Sequence, residues 1–296
     1  KIGRKGEAAA RYMGTVRQRE RVDVPRGGGR NRASYGLLPA SISHEGYSAK
    51  PMRSYWDDLW ALKGYTSAVM IAGALGHSGA AERLAAARDE FRDDLVVSLR
   101  TTAATHHIDY LPGSAELGDF DPASSTIAFA PGAGARDLPP ELVKPTFERY
   151  WREFVARRDG VTIWKDYTPY ELRTVSTFVR LGWRERAQAL LDFFMAGRRP
   201  LAWNQWPEVV GRDPRKVLFV GDLPHAWVAS DYIRCVLDLF AYERADGAMM
   251  LAVGIPAAWV ALAGVSILGL RPPCGRVAYS LVRTGPRNCS LTVPAS

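Results

Sequence analysis

Four segments of this chain set carboxylates beside aromatic rings where an apolar run of helical period begins: Ser54-Tyr-Trp-Asp-Asp-Leu-Trp60, Gly118-Asp-Phe-Asp-Pro122, Tyr167-Thr-Pro-Tyr-Glu171 and Asp222-Leu-Pro-His-Ala-Trp227. A helix start carries free N–H groups and partial positive charge, so several starts gathered on one rim would hold acids and polar ligands. Carboxylates for proton transfer, polar forks for hydroxyls and aromatic faces for C–H-rich rings together suit a sugar site. The doublet His106-His107 with Asp109 suggests a metal at first sight. Neighbouring residues in an extended segment point to opposite faces and no third ligand has metal spacing, so neither metal nor other cofactor is expected.

The elements that must position these residues alternate in kind. A basic helix over Gly6 to Glu20 precedes a Gly-rich linker and a Pro- and Ser-rich loop to Arg53. Residues 55–76 carry Trp56, Leu59, Trp60, Leu62, Val69, Ile71 and Leu75 almost all round, which indicates an enclosed helix stopped by Gly76. The next, Ala80 to Leu99, is one-sided, with Leu84, Phe91, Leu95 and Leu99 on one face. The same alternation follows as apolar Pro122 to Phe129 and amphipathic Glu141 to Arg158, apolar 168–181 and amphipathic Arg184 to Ala196, and then apolar Ala226 to Tyr242. The pattern is a repeat of architecture, with long loops leading from outer to inner helices. Short strands are expected at Val265 to Leu268, Arg276 to Val282 and Ser290 to Val293.

Composition fits a globular protein: 296 residues, 47% hydrophobic and 24% charged. The formal charge of +8 suggests nucleic acid until it is located: residues 1–32 hold ten Lys or Arg against three acids. No aromatic interleaves the run from Arg17 to Arg32, so nucleic-acid binding is not expected. Gly247 to Leu270 is uncharged for 24 residues, but Pro256 and four glycines interrupt it; a buried loop and core strand are expected there rather than a membrane span. Cys235 sits in an apolar helical pattern, while Cys274 and Cys289 flank a hairpin-like segment and could pair in an oxidising compartment. A periplasmic or extracellular setting is favoured over a cytoplasmic one. The opening at Lys1, inside a helical pattern and without Met, is expected of a fragment.

Gly36-Leu-Leu-Pro39, His44-Glu-Gly-Tyr47, Tyr55-Trp-Asp-Asp-Leu-Trp-Ala-Leu62, Trp203-Asn-Gln-Trp-Pro-Glu-Val-Val210 and Gly221-Asp-Leu-Pro-His-Ala-Trp-Val228 resemble the catalytic-domain motifs of bacterial six-hairpin glycosidases, over residues 36–284. The resemblance implies a mainly α fold, an (α/α)6-type toroid with inner helices ringed by outer ones, its active site in the crater where inner helices begin, and a β-sandwich after the barrel. Seven or eight helices are countable against the twelve of a full toroid, so an incomplete set is expected. The division that follows is 1–35 as basic helix and linker, 36–246 as toroid, and 247–296 as core loop and β appendage.

Glycoside hydrolysis normally uses two carboxyls, one protonated at the leaving oxygen and one ionised toward water or carbon. Glu208, between tryptophans and beside Pro207, lies in a partly apolar setting that suits a general acid. Glu171 falls in the first turn of an inner helix, where the dipole favours the ionised base. Asp57 is the third catalytic candidate; it and Asp58 point about 100° apart on a helix, so they cannot both face one sugar. Asp121 reads as an N-cap before Pro122, leaving Asp119 for hydroxyls. Trp56, Trp206 and Trp227 are candidate stacking platforms, with Trp206 favoured because it is in a loop, and Asp58, Tyr170, His225 and Glu45 complete the expected binding set. Inversion at the anomeric carbon is implied by the resemblance alone. Two rivals stand beside an oligo- or polysaccharide hydrolase: a polysaccharide lyase with Tyr170 or His225 as base, and a non-catalytic carbohydrate-binding or scaffold fragment.

Overall fold

The computed structural model describes residues 2–23, 30–43, 46–132, 137–164, 168–208, 211, 213, 223–272, 275–286 and 288–294. The chain is mainly helical with a short C-terminal sheet, and it divides into two compact units, residues 1–155 and 156–296.

In the first unit α1 (Ile2–Asp23) and the short α2 (Arg30–Ser34) precede the hairpin of α3 (Tyr55–Ala74) and α4 (Ser78–His106). Gly76 turns the chain at φ +71°, a left-handed conformation that costs glycine little. The all-round apolar sequence of α3 predicts an enclosed helix, and its first half is one, burying Tyr55, Trp56, Asp58, Leu59, Ala61 and Leu62, whereas beyond it only Tyr65, Ala68 and Ala72 are buried and Met70 is exposed. α4 outruns its expected end at Leu99 because Thr101 to Ala104 continue the helix to His107, whose left-handed φ of 54° closes it. α1 is tied to α4 by its cations. The buried Arg17 guanidinium lies 4.0 Å above the Phe91 ring and 2.9 Å from Asp94, while Arg21 reaches Glu90 and Asp94.

The expected apolar helix after Gly118 is broken into α5 (Pro122–Ser125) and a tighter turn, Thr126–Ala128. α6 (Pro140–Arg158) packs Phe147 edge-on against Phe129 with centroids 5.5 Å apart, and its Thr146 Oγ1 accepts the Leu111 N–H at 2.8 Å.

In the second unit a 3₁₀ turn, Pro169–Arg173, runs into α7 (Thr174–Arg180). Gly182, at φ +75°, leads to α8 (Arg184–Ala196), which buries Ala187, Leu190, Leu191 and Phe194 at helical spacing. α9 (Ala226–Phe240) lies along the Pro169–Arg180 segment, with side-chain contacts at successive levels. Arg173 meets Asp231 at 2.9 Å, Ser176 meets Cys235 at 3.3 Å, and Arg180 pairs with Asp238. Residue numbers rise together along both partners, so the two helices are parallel and begin at the same end.

The uncharged run after Gly247 holds a strand, a helix and a second strand. β1 (Ala241–Glu243) pairs antiparallel with β2 (Met249–Leu251), a hairpin that the sequence pattern did not suggest. α10 (Ala257–Leu262) follows, then an antiparallel sheet in the order β3 (Val265–Leu270), β4 (Val277–Arg283), β5 (Cys289–Thr292). Among the described residues no helix is long and apolar enough to cross a membrane. Cys235 is buried against Ser176, and burial pushes its thiol up to about 12; Cys289 is exposed, and Cys274 lies outside the described residues.

Candidate functional site

The parallel helix pair of the second unit brings two of the four clusters to one rim. Thr168 opens the first start: its side chain accepts the Tyr170 N–H at 3.3 Å and its hydroxyl donates to the Glu208 carbonyl at 3.3 Å. His225 opens the second as N-cap of α9, its Nδ1 accepting the Val228 N–H at 3.4 Å, while its own N–H donates to the Trp206 carbonyl at 3.1 Å. The segment from Trp206 to Glu208 is thereby stitched to both starts. Three side chains meet there. Tyr170 Oη is 3.3 Å from Glu208 Oε1 and 3.3 Å from His225 Nε2. Trp227 stands edge-on to Tyr170, centroids 5.7 Å apart, and is 39% exposed.

Beneath them lie Arg173 and Asp231, both buried, which the sequence reading passed over. The Arg173 guanidinium sits 5.0 Å from the Tyr170 ring centre and 5.6 Å from that of Trp227. Burial raises the pKa of Asp231, against the lowering pull of Arg173 and Arg234. The phenol of Tyr170 is likewise raised, by burial first and then by the negative charge of Glu208, so it keeps its proton. The available signal was the matched spacing of seven in Arg173/Arg180 and Asp231/Asp238, which marks two helices paired along their length.

Glu171 does not join this group. Successive residues of a 3₁₀ turn point about 120° apart, so when Tyr170 faces the rim Glu171 turns inward. It is 6% exposed, and its carboxylate accepts two hydrogen bonds from Arg157, at 2.7 and 2.8 Å. Arg157 in turn stacks 4.2 Å over Trp164. Trp206 is no platform despite its place in a loop. It is 2% exposed, donates Nε1–H to the Phe194 carbonyl at 2.8 Å and packs on Tyr232.

In the first unit the other two clusters meet at the start of α3, through bridges of Ser54 with Ser114 and of Pro112 with Phe120. Asp57 accepts the hydroxyls of Ser41 at 2.6 Å and Ser43 at 2.9 Å. Asp58 is wholly buried: Oδ1 accepts the Leu38 N–H at 2.9 Å and Oδ2 has no hydrogen-bond partner among the described residues. Burial pushes its carboxyl up to about 8, so it is a neutral core acid and cannot touch a ligand at the surface. Asp119 is engaged at both oxygens, by Tyr47 Oη at 2.9 Å and Ser114 Oγ at 2.7 Å. Gly113 makes room for it, since a Cβ there would lie 2.7 Å from Asp119 Oδ2. Asp121 accepts the Ser124 N–H at 3.2 Å, the expected N-cap. Trp56 is buried edge-on to Trp60, a core residue and not a platform. Glu45, with His44, Tyr167 and Asp222, lies outside the described residues.

Among the described residues no group of three or more His, Cys, Asp or Glu side chains is arranged to hold a metal ion. No protein-family model matches the chain, and no curated protein or solved structure matches it.

Proposed function

We propose that the chain is a glycoside hydrolase in which Glu208 is an acid/base carboxyl, acting on an oligo- or polysaccharide. The observation that carries this is the meeting of Glu208, Tyr170 and His225 at the common start of two parallel helices, beside the half-exposed Trp227. A parallel pair with an outer helix intervening in sequence is the repeating element of an (α/α)6-type toroid, and the family resemblance of the surrounding motifs supports that architecture. Trp227 takes over the stacking role expected of Trp206. Glu171, spent on Arg157, serves to fix the turn that carries Tyr170, and the second carboxyl of the reaction is left unassigned. Inversion remains part of the proposal through the resemblance.

The Tyr170–His225 hydrogen bond favours one other reading, a polysaccharide lyase that abstracts a proton with the phenol. The raised pKa of that phenol argues against it. The test is to assay the whole chain on nitrophenyl glycosides and oligosaccharides for new reducing ends, and on uronate polymers for ultraviolet-absorbing unsaturated products. Glu208→Gln is expected to cost about 10²–10⁴-fold in kcat. Unsaturated product that survives this substitution would replace the hydrolase with the lyase.

A further inference from the structure

We propose that His225 and Tyr170 are positioning residues forming a one-way hydrogen-bond relay that ends on Glu208 Oε1 as its acceptor. Its catalytic meaning, a carboxyl held in one orientation for the reaction, rests on the glycosidase reading; its direction does not. The direction is set by the backbone. His225 Nδ1 faces the Val228 N–H, and a nitrogen that accepts carries no proton, so the neutral ring is protonated at Nε2. Nε2–H then donates to Tyr170 Oη. The phenol has one proton of its own, and the second described partner of Oη is Glu208 Oε1, which receives it.

The reverse relay would run from a protonated Glu208 through Tyr170 to a bare Nε2. It would need hydrogen on Nδ1, pointing into the Val228 N–H, two donors face to face. The surroundings agree with the forward direction. Arg173, under the Tyr170 and Trp227 rings, supplies positive charge on the rim side of Asp231, which it and Arg234 hold at 2.9 and 3.3 Å.

The experiment uses the whole chain at neutral pH and needs no turnover. Nitrogen-15 shifts of labelled histidine, with His225 assigned through His225→Gln, are expected to show the Nε2–H form of a neutral ring. Isotope-edited infrared difference spectra between wild type and Glu208→Gln locate the Glu208 carboxyl band, and that band is expected to shift in Tyr170→Phe. An Nδ1–H form, or a Glu208 band that does not move in Tyr170→Phe, would overturn the relay even in a protein that cleaves sugars. A correctly directed relay in a chain that cleaves no glycoside would overturn only the glycosidase reading.

Discussion

A carboxyl taken out of water must find partners or give up its charge, and two acids expected at the site, Glu171 as base and Asp58 for binding, meet that demand in opposite ways. Glu171 finds its partner in the fork of Arg157, which donates to both of its oxygens. Asp58 has one backbone N–H and, among the described residues, no partner at its second oxygen, and stays neutral. Its folded pKa, about 8, lies above the unfolded value, so between roughly pH 4 and 8 the folded state binds more protons than the unfolded one. Stability contributed by this residue is therefore lost as pH rises through that window. Asp58→Asn, a neutral group of the same shape, is expected to raise the melting temperature at pH 8, with the gap to wild type closing toward pH 4. A gap independent of pH, measured by thermal unfolding across that range, would show that Asp58 is not a neutral core acid.

Helices were legible where local chemistry decides them. Gly76 and Gly182 stop their helices where expected, and α8 spans Arg184–Ala196 as read. The β1–β2 hairpin was missed because its turn, Arg244 to Gly247, abuts the uncharged run and its strands are three residues each, too short for alternation to show. Convergence of the site was not legible, since Tyr170, Glu208 and His225 come together only after α7 and α9 dock in one register. That register is held by buried ion pairs, whose partners each lose water for the other. Removing one partner leaves an uncompensated charge, so Arg173→Met is expected to cost about 3–5 kcal/mol in urea unfolding. Arg173→Met with Asp231→Leu removes both charges and should recover most of that loss. If the double substitution is as unstable as the sum of the singles, the pair does not hold the register.

At the scale of the whole chain the formal charge of +8 is concentrated in residues 1–32, a distribution that would suit a nucleic-acid arm. The structure spends part of it internally. Arg17 and Arg21 turn from solvent toward Asp94 and Glu90, and Arg53 lies between Glu20 and Glu116. Cations paired in this way release no counterions to a phosphate backbone, so duplex DNA should bind no more tightly than the nonspecific range of about 10⁻⁴–10⁻⁶ M at physiological salt, by fluorescence anisotropy. The same geometry separates two consequences of substitution. Arg17 is buried beneath its own pair, so Arg17→Met should lower the urea midpoint sharply, whereas Arg19→Met, on the exposed face of α1, should leave it nearly unchanged. Submicromolar DNA binding that both substitutions weaken equally, at unchanged stability, would mean that α1 presents its cations outward, and the tie between α1 and α4 would have to be redrawn.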